Sequence, residues 1–276
     1  EIFQKYKFDE IYNLAAQSFV ASSFKFPLMT SDITGLGVAR ILECIRRYNP
    51  EARFYQASTS EMFGKVAETP QNEDTVFHPR SPYGVSKLYA HWMAINYRES
   101  YDIFACNGIL FNHESPLRGK EFVTKKIVSD LAKVKHNIIP NIKLGNIYSK
   151  RDWGHAKDYV EVMWKMLQLK KPDDFVIATN THYSVRDFVE AVGKELNLNI
   201  IWKGKGTKEI GVDKRTNKTV IKIDPYYFRP NDVQSLLGDA SKLYKSIKWK
   251  PKTSFKKLVK IMVQKEIELI KNHKIY

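Results

Sequence analysis

Two cysteines, Cys44 and Cys106, are all that this chain of 276 residues contains. So few exclude a disulfide scaffold and a cysteine-rich zinc module, and a reduced, cytoplasmic setting is the expectation that follows. Long apolar runs are missing as well. The longest are strand-like pieces such as residues 104–111, well short of the roughly 20 residues a membrane-spanning helix needs, so no membrane partner is expected. There is no internal repeat, low-complexity tract, zinc-finger spacing, RNP-type aromatic motif or run of five basic residues. Acidic residues are the scarcer charge, 30 against 45 Lys+Arg, for a formal net charge of +15. The chain starts Glu1-Ile2-Phe3-Gln4, with neither an initiator methionine nor a targeting segment. Residues 1–7 read as the end of a helix, and a further segment upstream is expected.

What is present describes a folded protein: 43% apolar and 27% charged residues, enough chain for one large α/β domain or two smaller ones. The positive charge is uneven. Residues 201–276 hold 19 Lys+Arg and 7 Asp+Glu. Such a region invites nucleic acid, an acidic membrane or a phosphate-bearing ligand. Lys256, Lys257, Lys260 and Lys265 recur at helical spacing, however, and read as a solvated face. Lysine in excess of arginine suits a surface better than bidentate phosphate recognition. No nucleic-acid partner is expected.

Strands and helices alternate. Residues 10–15 predict a buried strand, and 30–48 a helix with Ile33, Leu36, Val38, Ile41, Leu42 and Ile45 near a 3.6 spacing. A strand at 54–57, a proline-bearing loop at 65–82, a helix at 83–101 and an apolar strand at 103–111 follow. Helices are predicted at 122–135, 156–169, 184–196, 241–246 and 255–271, a strand at 175–178, and a loop or hairpin at 203–219. This order predicts an α/β fold: a doubly wound parallel sheet with a smaller mixed lobe.

Three local groupings carry chemistry. Tyr83-Gly84-Val85-Ser86-Lys87 puts a phenol and an ammonium on one helix face. The ammonium favours the phenolate, so the tyrosine pKa is expected to fall toward the working pH, which suits proton removal from a sugar hydroxyl. Two surface residues would satisfy the same spacing. Ser58-Thr59-Ser60-Glu61 follows the strand at 54–57, and doubly wound sheets build their sites at the carboxyl ends of strands. Its hydroxyls can bind a reacting oxygen and Glu61 can act as acid or base; a helix N-cap with a first-turn carboxylate reads the same way. Asn112-His113-Glu114-Ser115-Pro116-Leu117-Arg118-Gly119, after the strand at 103–111, suits a phosphate-bearing ligand. His113 could ligate a metal, but the other histidines are scattered, and no metal site is expected.

Taken together, these groupings make the chain resemble the extended short-chain dehydrogenase/reductases that act on nucleotide sugars, and within them the GDP-mannose 4,6-dehydratases. The resemblance runs through Asn13-Leu14-Ala15-Ala16-Gln17-Ser18, Tyr55-Gln56-Ala57-Ser58-Thr59-Ser60-Glu61-Met62-Phe63-Gly64, Pro79-Arg80-Ser81-Pro82-Tyr83-Gly84 and Asn107-Gly108-Ile109-Leu110-Phe111-Asn112-His113-Glu114-Ser115-Pro116. It continues through Leu144-Gly145-Asn146, Lys150-Arg151-Asp152-Trp153-Gly154-His155-Ala156-Lys157-Asp158-Tyr159-Val160, Asp174-Phe175-Val176-Ile177-Ala178-Thr179, Arg229-Pro230 and Trp249-Lys250-Pro251, essentially the whole chain. Thymidine-diphosphate-glucose dehydratases typically read Thr-Asp-Glu where this chain has Thr59-Ser60-Glu61, which points to the GDP-mannose branch. Two departures stand out. The family's opening strand and Gly-x-x-Gly-x-x-Gly turn, which cradles a dinucleotide pyrophosphate, are not in this sequence. Phe19 and Met29 stand where a histidine and an aromatic are usual.

The resemblance implies a Rossmann-like NADP-binding unit over 1–115, with parts of 142–165 and 174–180, interleaved with a mostly substrate-binding lobe over 116–276. It implies that Tyr83 is the base for the sugar C4 hydroxyl, that Lys87 lowers its pKa and holds the nicotinamide ribose, and that Thr59 hydrogen-bonds the C4 oxygen. Glu61 would remove the C5 proton and help expel the C6 hydroxyl as water, with hydride passing from C4 to NADP and back to C6. Leu14, Ala15, Ala16, Gln17, Ser18, His113 and Arg118 would line the cofactor beside Tyr83 and Lys87. Ser60, Asn112, Lys126, Leu144, Gly145, Arg151 and Arg229 would hold the GDP-sugar, and a homodimer or homotetramer is implied. A simple 4-epimerase needs no carboxylate at C5, so Glu61 separates the two chemistries. GDP-manno-heptose as substrate, and a nucleotide-sugar-binding protein without catalysis, remain as alternatives; intact Thr59, Glu61, Tyr83 and Lys87 argue against the second. Steep salt-dependent DNA binding would mark a nucleic-acid partner instead.

Overall fold

The computed structural model describes residues 1–228 and 233–272. A short helix α1 (Ile2–Lys5) leads into β1 (Glu10–Asn13), helices α2 (Val20–Lys25), α3 (Pro27–Ser31) and α4 (Gly37–Tyr48), then β2 (Arg53–Thr59), α5 (Pro82–Tyr101), β3 (Ala105–Leu110), β4 (Asn112–Glu114) and α6 (Val123–Lys135). There follow β5 (Ile142–Leu144), β6 (Lys150–Arg151), β7 (Trp153–His155), α7 (Ala156–Leu167), β8 (Asp174–Ile177), β9 (Tyr183–Ser184) and α8 (Val185–Glu195). The chain ends with β10 (Ile200–Lys203), β11 (Ile210–Asp213), β12 (Lys218–Ile223), α9 (Ser241–Ile247) and α10 (Phe255–Lys271).

β1, β2, β3 and β8 form a parallel sheet in that order. All of β3 and nearly all of β2 are buried, as parallel strands covered on both faces must be. On one face α4 and α5 pack Val38, Leu42, Ile45, Ala90 and Ala94 against Phe54 and Ala105. On the other, α7 and α9 bring Tyr159, Met163, Met166 and Leu243 to Tyr55 and Ile109. A second, mixed sheet in the order β10-β11-β12-β5 is backed by α6, α8 and α10, whose Ile127, Phe188 and Met262 share a separate core with Ile142 and Ile221.

Three expectations need correction or refinement. Residues 10–15 are not a buried strand: β1 ends at Asn13, Tyr12 and Leu14 are exposed, and among the described residues only β2 pairs with it. An apolar run marks a strand whether or not a neighbour covers its second side. The helix expected over 30–48 contains a π turn at Asp32–Leu36. The wider turn rotates the apolar stripe, so Val38, Leu42 and Ile45 face the sheet while Ile33 and Leu36 face outward. Residues 203–219 resolve into the β11–β12 hairpin with its lead-in loop.

Candidate active site

The end of β2 and the start of α5 meet at the carboxyl edge of the parallel sheet. Ser81 caps α5, its hydroxyl accepting from the Gly84 N–H at 3.0 Å, and Pro82 occupies the first helical position, where its fixed φ is suited. Tyr83 therefore lies in the first turn, and it is buried. Gly84 permits the approach: a Cβ there would stand 2.8 Å from the Glu61 carbonyl oxygen. Thr59 caps the short 3-10 turn after β2, accepting from the Glu61 N–H at 3.3 Å. Its hydroxyl also hydrogen-bonds the Tyr83 phenol, and the Glu61 charge acts on that phenol. Lys87 lies one turn further along, its Nζ donating to the Ala57 carbonyl at 2.6 Å, 6.0 Å from the centre of the Tyr83 ring.

The electrostatics reverse one expectation. The Tyr83 phenol is pushed up to about 12 rather than down, chiefly by burial; the Thr59 hydrogen bond opposes this, Glu61 adds to it and Arg118 opposes it. The Lys87 ammonium is engaged on a carbonyl, so desolvation of the phenolate dominates. Burial also draws Lys87 down to about 8.

A second corner is built from β4 and the start of α6. His113 stacks on Tyr159 with ring centres 5.1 Å apart. Its Nδ1 meets the Phe111 carbonyl at 2.9 Å; because a carbonyl only accepts, Nδ1 carries the proton and Nε2 is left as an acceptor. Burial draws this imidazole down to about 4, so it is neutral. The Arg118 guanidinium lies 3.6 Å from the centre of the Phe122 ring, and its Nε stands 3.2 Å from Glu114 Oε2. That last contact is electrostatic rather than a formed hydrogen bond, since the buried Nε has no well-aligned acceptor among the described residues.

Phe122 is the N-cap of α6, and Lys126 stands one turn in, its Nζ 3.3 Å from the centre of the Tyr227 ring and without a hydrogen-bond partner among the described residues. Gly145 backs the same tyrosine: a Cβ there would lie 2.5 Å from the Tyr227 carbonyl oxygen. The Lys126 ammonium lies within electrostatic reach of Asp224, and together with the helix N-terminus and Arg118 it gives a corner that suits an anion.

The remaining expected residues fall as follows. Leu14, Ala15, Ala16, Gln17 and Ser18 form the loop leaving the carboxyl end of β1. Gln17 anchors it, its N–H donating to Thr34 Oγ1 at 3.1 Å. Phe19 meets Phe122 edge-on, ring centres 5.8 Å apart, and so joins this loop to the Arg118 corner. Ser60 is buried beside Thr59. Asn112 opens β4, opposite Trp153 of β7, and Leu144 is buried at the end of β5. Arg151, buried in β6, donates to the Lys150 carbonyl at 2.9 Å. Arg229 lies outside the described residues.

The sequence reading did not single out Phe122, Tyr227, Gln56 or the buried network in which Ser58 Oγ lies 3.1 Å from His91 Nδ1 and donates to Asn107 Oδ1 at 3.3 Å. The available signal was polarity at core positions: Gln56, Ser58 and Asn107 interrupt strands that are otherwise apolar. A separate polar cleft of about 490 Å³, lined in part by Lys7, Glu10, Arg53 and Gln168, opens at the amino ends of β1 and β2. The length of β2, roughly 20 Å, separates it from Thr59.

A nicotinamide nucleotide fits part of this site. The Lys87 ammonium has three donors, and one is engaged, which leaves two for ribose hydroxyls beside Tyr83.

The chain matches the family profile described as GDP-mannose 4,6 dehydratase over residues 1–262. It is 54% identical over 268 residues to the GDP-mannose 4,6 dehydratase of Drosophila melanogaster, covering 96% of this chain and 68% of that protein. It is 48% identical over 275 residues to the GDP-mannose 4,6 dehydratase of Homo sapiens, covering 99% and 74%. Among solved structures, RMD from Pseudomonas aeruginosa complexed with NADPH superposes with a TM-score of 0.80 at 21% identity, over 94% of this chain and 82% of that one. DesIV, a dTDP-glucose 4,6-dehydratase from Streptomyces venezuelae with NAD and TYD bound, gives 0.80 at 18% identity, over 96% and 74%. At those identities the superpositions establish the fold, a doubly wound α/β architecture.

Proposed function

The chain belongs to the GDP-mannose 4,6-dehydratase family, and from that premise we propose that it converts GDP-mannose to GDP-4-keto-6-deoxy-mannose by oxidation at C4, loss of water across C5 and C6, and reduction at C6. The observation that carries this reading is the meeting of a phenol, a hydroxyl and a carboxylate, Tyr83, Thr59 and Glu61, at the end of β2. NADP, when bound, supplies the redox chemistry by accepting hydride from C4 and returning it to C6.

In this reading Thr59 donates to the sugar C4 oxygen, and the Tyr83 phenolate takes its proton. Lys87 steadies the phenolate with its ammonium and holds the nicotinamide ribose. A buried phenol near 12 is a poor base in the ligand-free site, so binding of substrate and oxidised cofactor is what readies it. Glu61 takes the C5 proton and protonates the departing C6 hydroxyl, so that water leaves as a neutral molecule; C5 takes up one proton as C6 is reduced, which balances the proton that Tyr83 removed from the C4 hydroxyl. Arg118 and His113 line the cofactor with Leu14, Ala15, Ala16, Gln17 and Ser18. Lys126 and the N-terminus of α6 hold the pyrophosphate, and Ser60, Asn112, Leu144, Gly145, Arg151 and Arg229 complete the GDP-sugar site. The parallel-sheet unit thus takes the cofactor and the mixed-sheet unit the nucleoside diphosphate.

The reading extends to a homodimer. Leu28, Met29 and Leu36 stay exposed beside Val85, Tyr89 and Trp92 of α5. The two stretches touch, Ser31 Oγ lying 3.3 Å from Ser86 Oγ and a Cβ on Gly35 falling 3.3 Å from the Tyr89 ring. So continuous an apolar face is rare on a monomer, and a second copy covers it here. No described helix is long and apolar enough to cross a membrane, and with only two cysteines the setting we propose is cytoplasmic.

Mass spectrometry of the products from NADP+ with GDP-mannose, and in parallel with GDP-manno-heptose, tests this. GDP-mannose is expected to lose one water with no net reduction of NADP+, and Glu61→Gln to bind the nucleotide sugar but not dehydrate it. Dehydration by Glu61→Gln at the parent rate would remove Glu61 from the mechanism, and faster turnover of the heptose would reassign the substrate.

A further inference from the structure

We propose that Gln56 is a positioning residue for Lys87, acting through the Ala57 carbonyl that both side chains share. Lys87 Nζ donates to this oxygen at 2.6 Å, and Gln56 Nε2 donates to it at 3.0 Å. A carbonyl oxygen offers two lone pairs, so both are occupied. Gln56 is held in place in turn, because Asn13 Nδ2 donates to its Oε1 at 2.8 Å and thereby fixes which end of the amide faces Ala57. Gln56 is wholly buried in β2, where an apolar side chain of similar length would avoid the desolvation of an amide.

The arrangement has two consequences. The Ala57 peptide plane is pinned, so the Lys87 ammonium sits at a fixed height above Tyr83, 6.0 Å from its ring centre. The carbonyl is also shared, so its pull on the ammonium is weaker than that of an acceptor with a single donor, and the other donors of Lys87 stay free for the ring side of the pocket. The ionisable groups coupled to this corner through their charges include Tyr83 on the same helix, Glu61 from the turn after β2, His113 of β4 and Arg118 beyond it. A substitution at Gln56 changes none of them. The kinetic arm of the proposal rests on the function given above; the titration arm does not.

Two variants test it in the whole chain. Gln56→Glu keeps the shape but cannot donate when ionised, and Gln56→Met keeps the length and carries no donor. Lysine side chains labelled with carbon-13 at Cε are titrated by NMR without ligand, the Lys87 signal being identified by its loss in Lys87→Arg. In parallel, kcat and KM for GDP-mannose are followed from neutral to alkaline pH. Lys87 in the parent is expected to titrate below the surface lysines, and in Gln56→Glu its midpoint is expected to rise by about one pH unit or more, since a neighbouring anion favours the ammonium. In Gln56→Met, kcat is expected to fall about tenfold with KM unchanged, the pattern of a lost transition-state interaction. Should either single variant fold poorly, Gln56→Met combined with Asn13→Leu removes the amide pair together and carries the same kinetic readout. A Lys87 midpoint unmoved in folded Gln56→Glu, or parent kcat in the methionine variants, overturns the proposal. A midpoint that moves in a protein that never dehydrates GDP-mannose supports the role of Gln56 and removes the proposed activity instead.

Discussion

His91 is buried on α5 with its Nδ1 3.1 Å from Ser58 Oγ, and burial draws its pKa down to about 4, against the partly compensating charge of Asp174. His113 is held equally low by burial. Both are neutral in the folded protein, whereas the unfolded chain takes up protons near the ordinary histidine value. The stability they contribute is therefore complete above about pH 6.5 and is lost as the pH falls toward 4, on the order of 3 kcal/mol for each. Asp152 works in the opposite sense. Burial raises its carboxyl to about 6, so it recovers stability as the pH drops from 6 toward the unfolded carboxylate range. Denaturant unfolding at pH 7, 5.5 and 4 is expected to show a net loss, and His91→Gln to show a shallower one; equal slopes would mean that His91 is charged in the native state. At this scale the grouping of Thr59, Glu61, Tyr83 and Lys87 was legible from the resemblance of their motifs to a family, since the Tyr83–Lys87 spacing alone is also met by two surface residues. Phe122, which carries the Arg118 guanidinium, was not, because nothing local distinguishes a phenylalanine that holds a cation from one that fills a core.

At the scale of elements, helix boundaries were the most legible feature. The helix expected over 184–196 starts as α8 on a capping box of Ser184 and Asp187, and α10 spans Phe255–Lys271, the range the periodicity predicts. Both signals act within a few residues. The cap on α5 does more than start a helix, because it aims the first turn that carries Tyr83. Ser81→Ala is expected to cost about 1 kcal/mol of stability and to lower kcat together with it, while Ser81→Asp, which can accept the same Gly84 N–H, keeps most of both; thermal melts and steady-state rates check this. The π turn at Asp32–Leu36 was not legible. Gly35 fits against Ser86 and Tyr89 of α5, partners that lie far along the sequence.

Over the whole molecule, the apolar face made by α3, the π turn and α5 is what a monomer leaves unsatisfied. Leu28 is 85% exposed and Trp92 55% exposed, well beyond what core packing would leave. Sedimentation velocity is expected to show a dimer or a larger assembly for the parent and a lighter species for Trp92→Asp or Leu28→Asp, with secondary structure unchanged. A parent that sediments as a monomer removes the assignment of this face. The alternation of strand and helix was enough to expect a parallel sheet, and β2 and β3 are buried as such strands must be. The sequence by itself determined the elements, their caps and the types of group at the end of β2, because propensity, periodicity and capping depend on neighbours a few residues apart. Only the tertiary structure decided that Tyr83 is driven up rather than down, that β1 pairs with β2 alone among the described residues, and that Ala57 answers to two donors at once. Desolvation and shared hydrogen bonds depend on whatever lies within a few ångströms, and the chain brings those partners from distant positions.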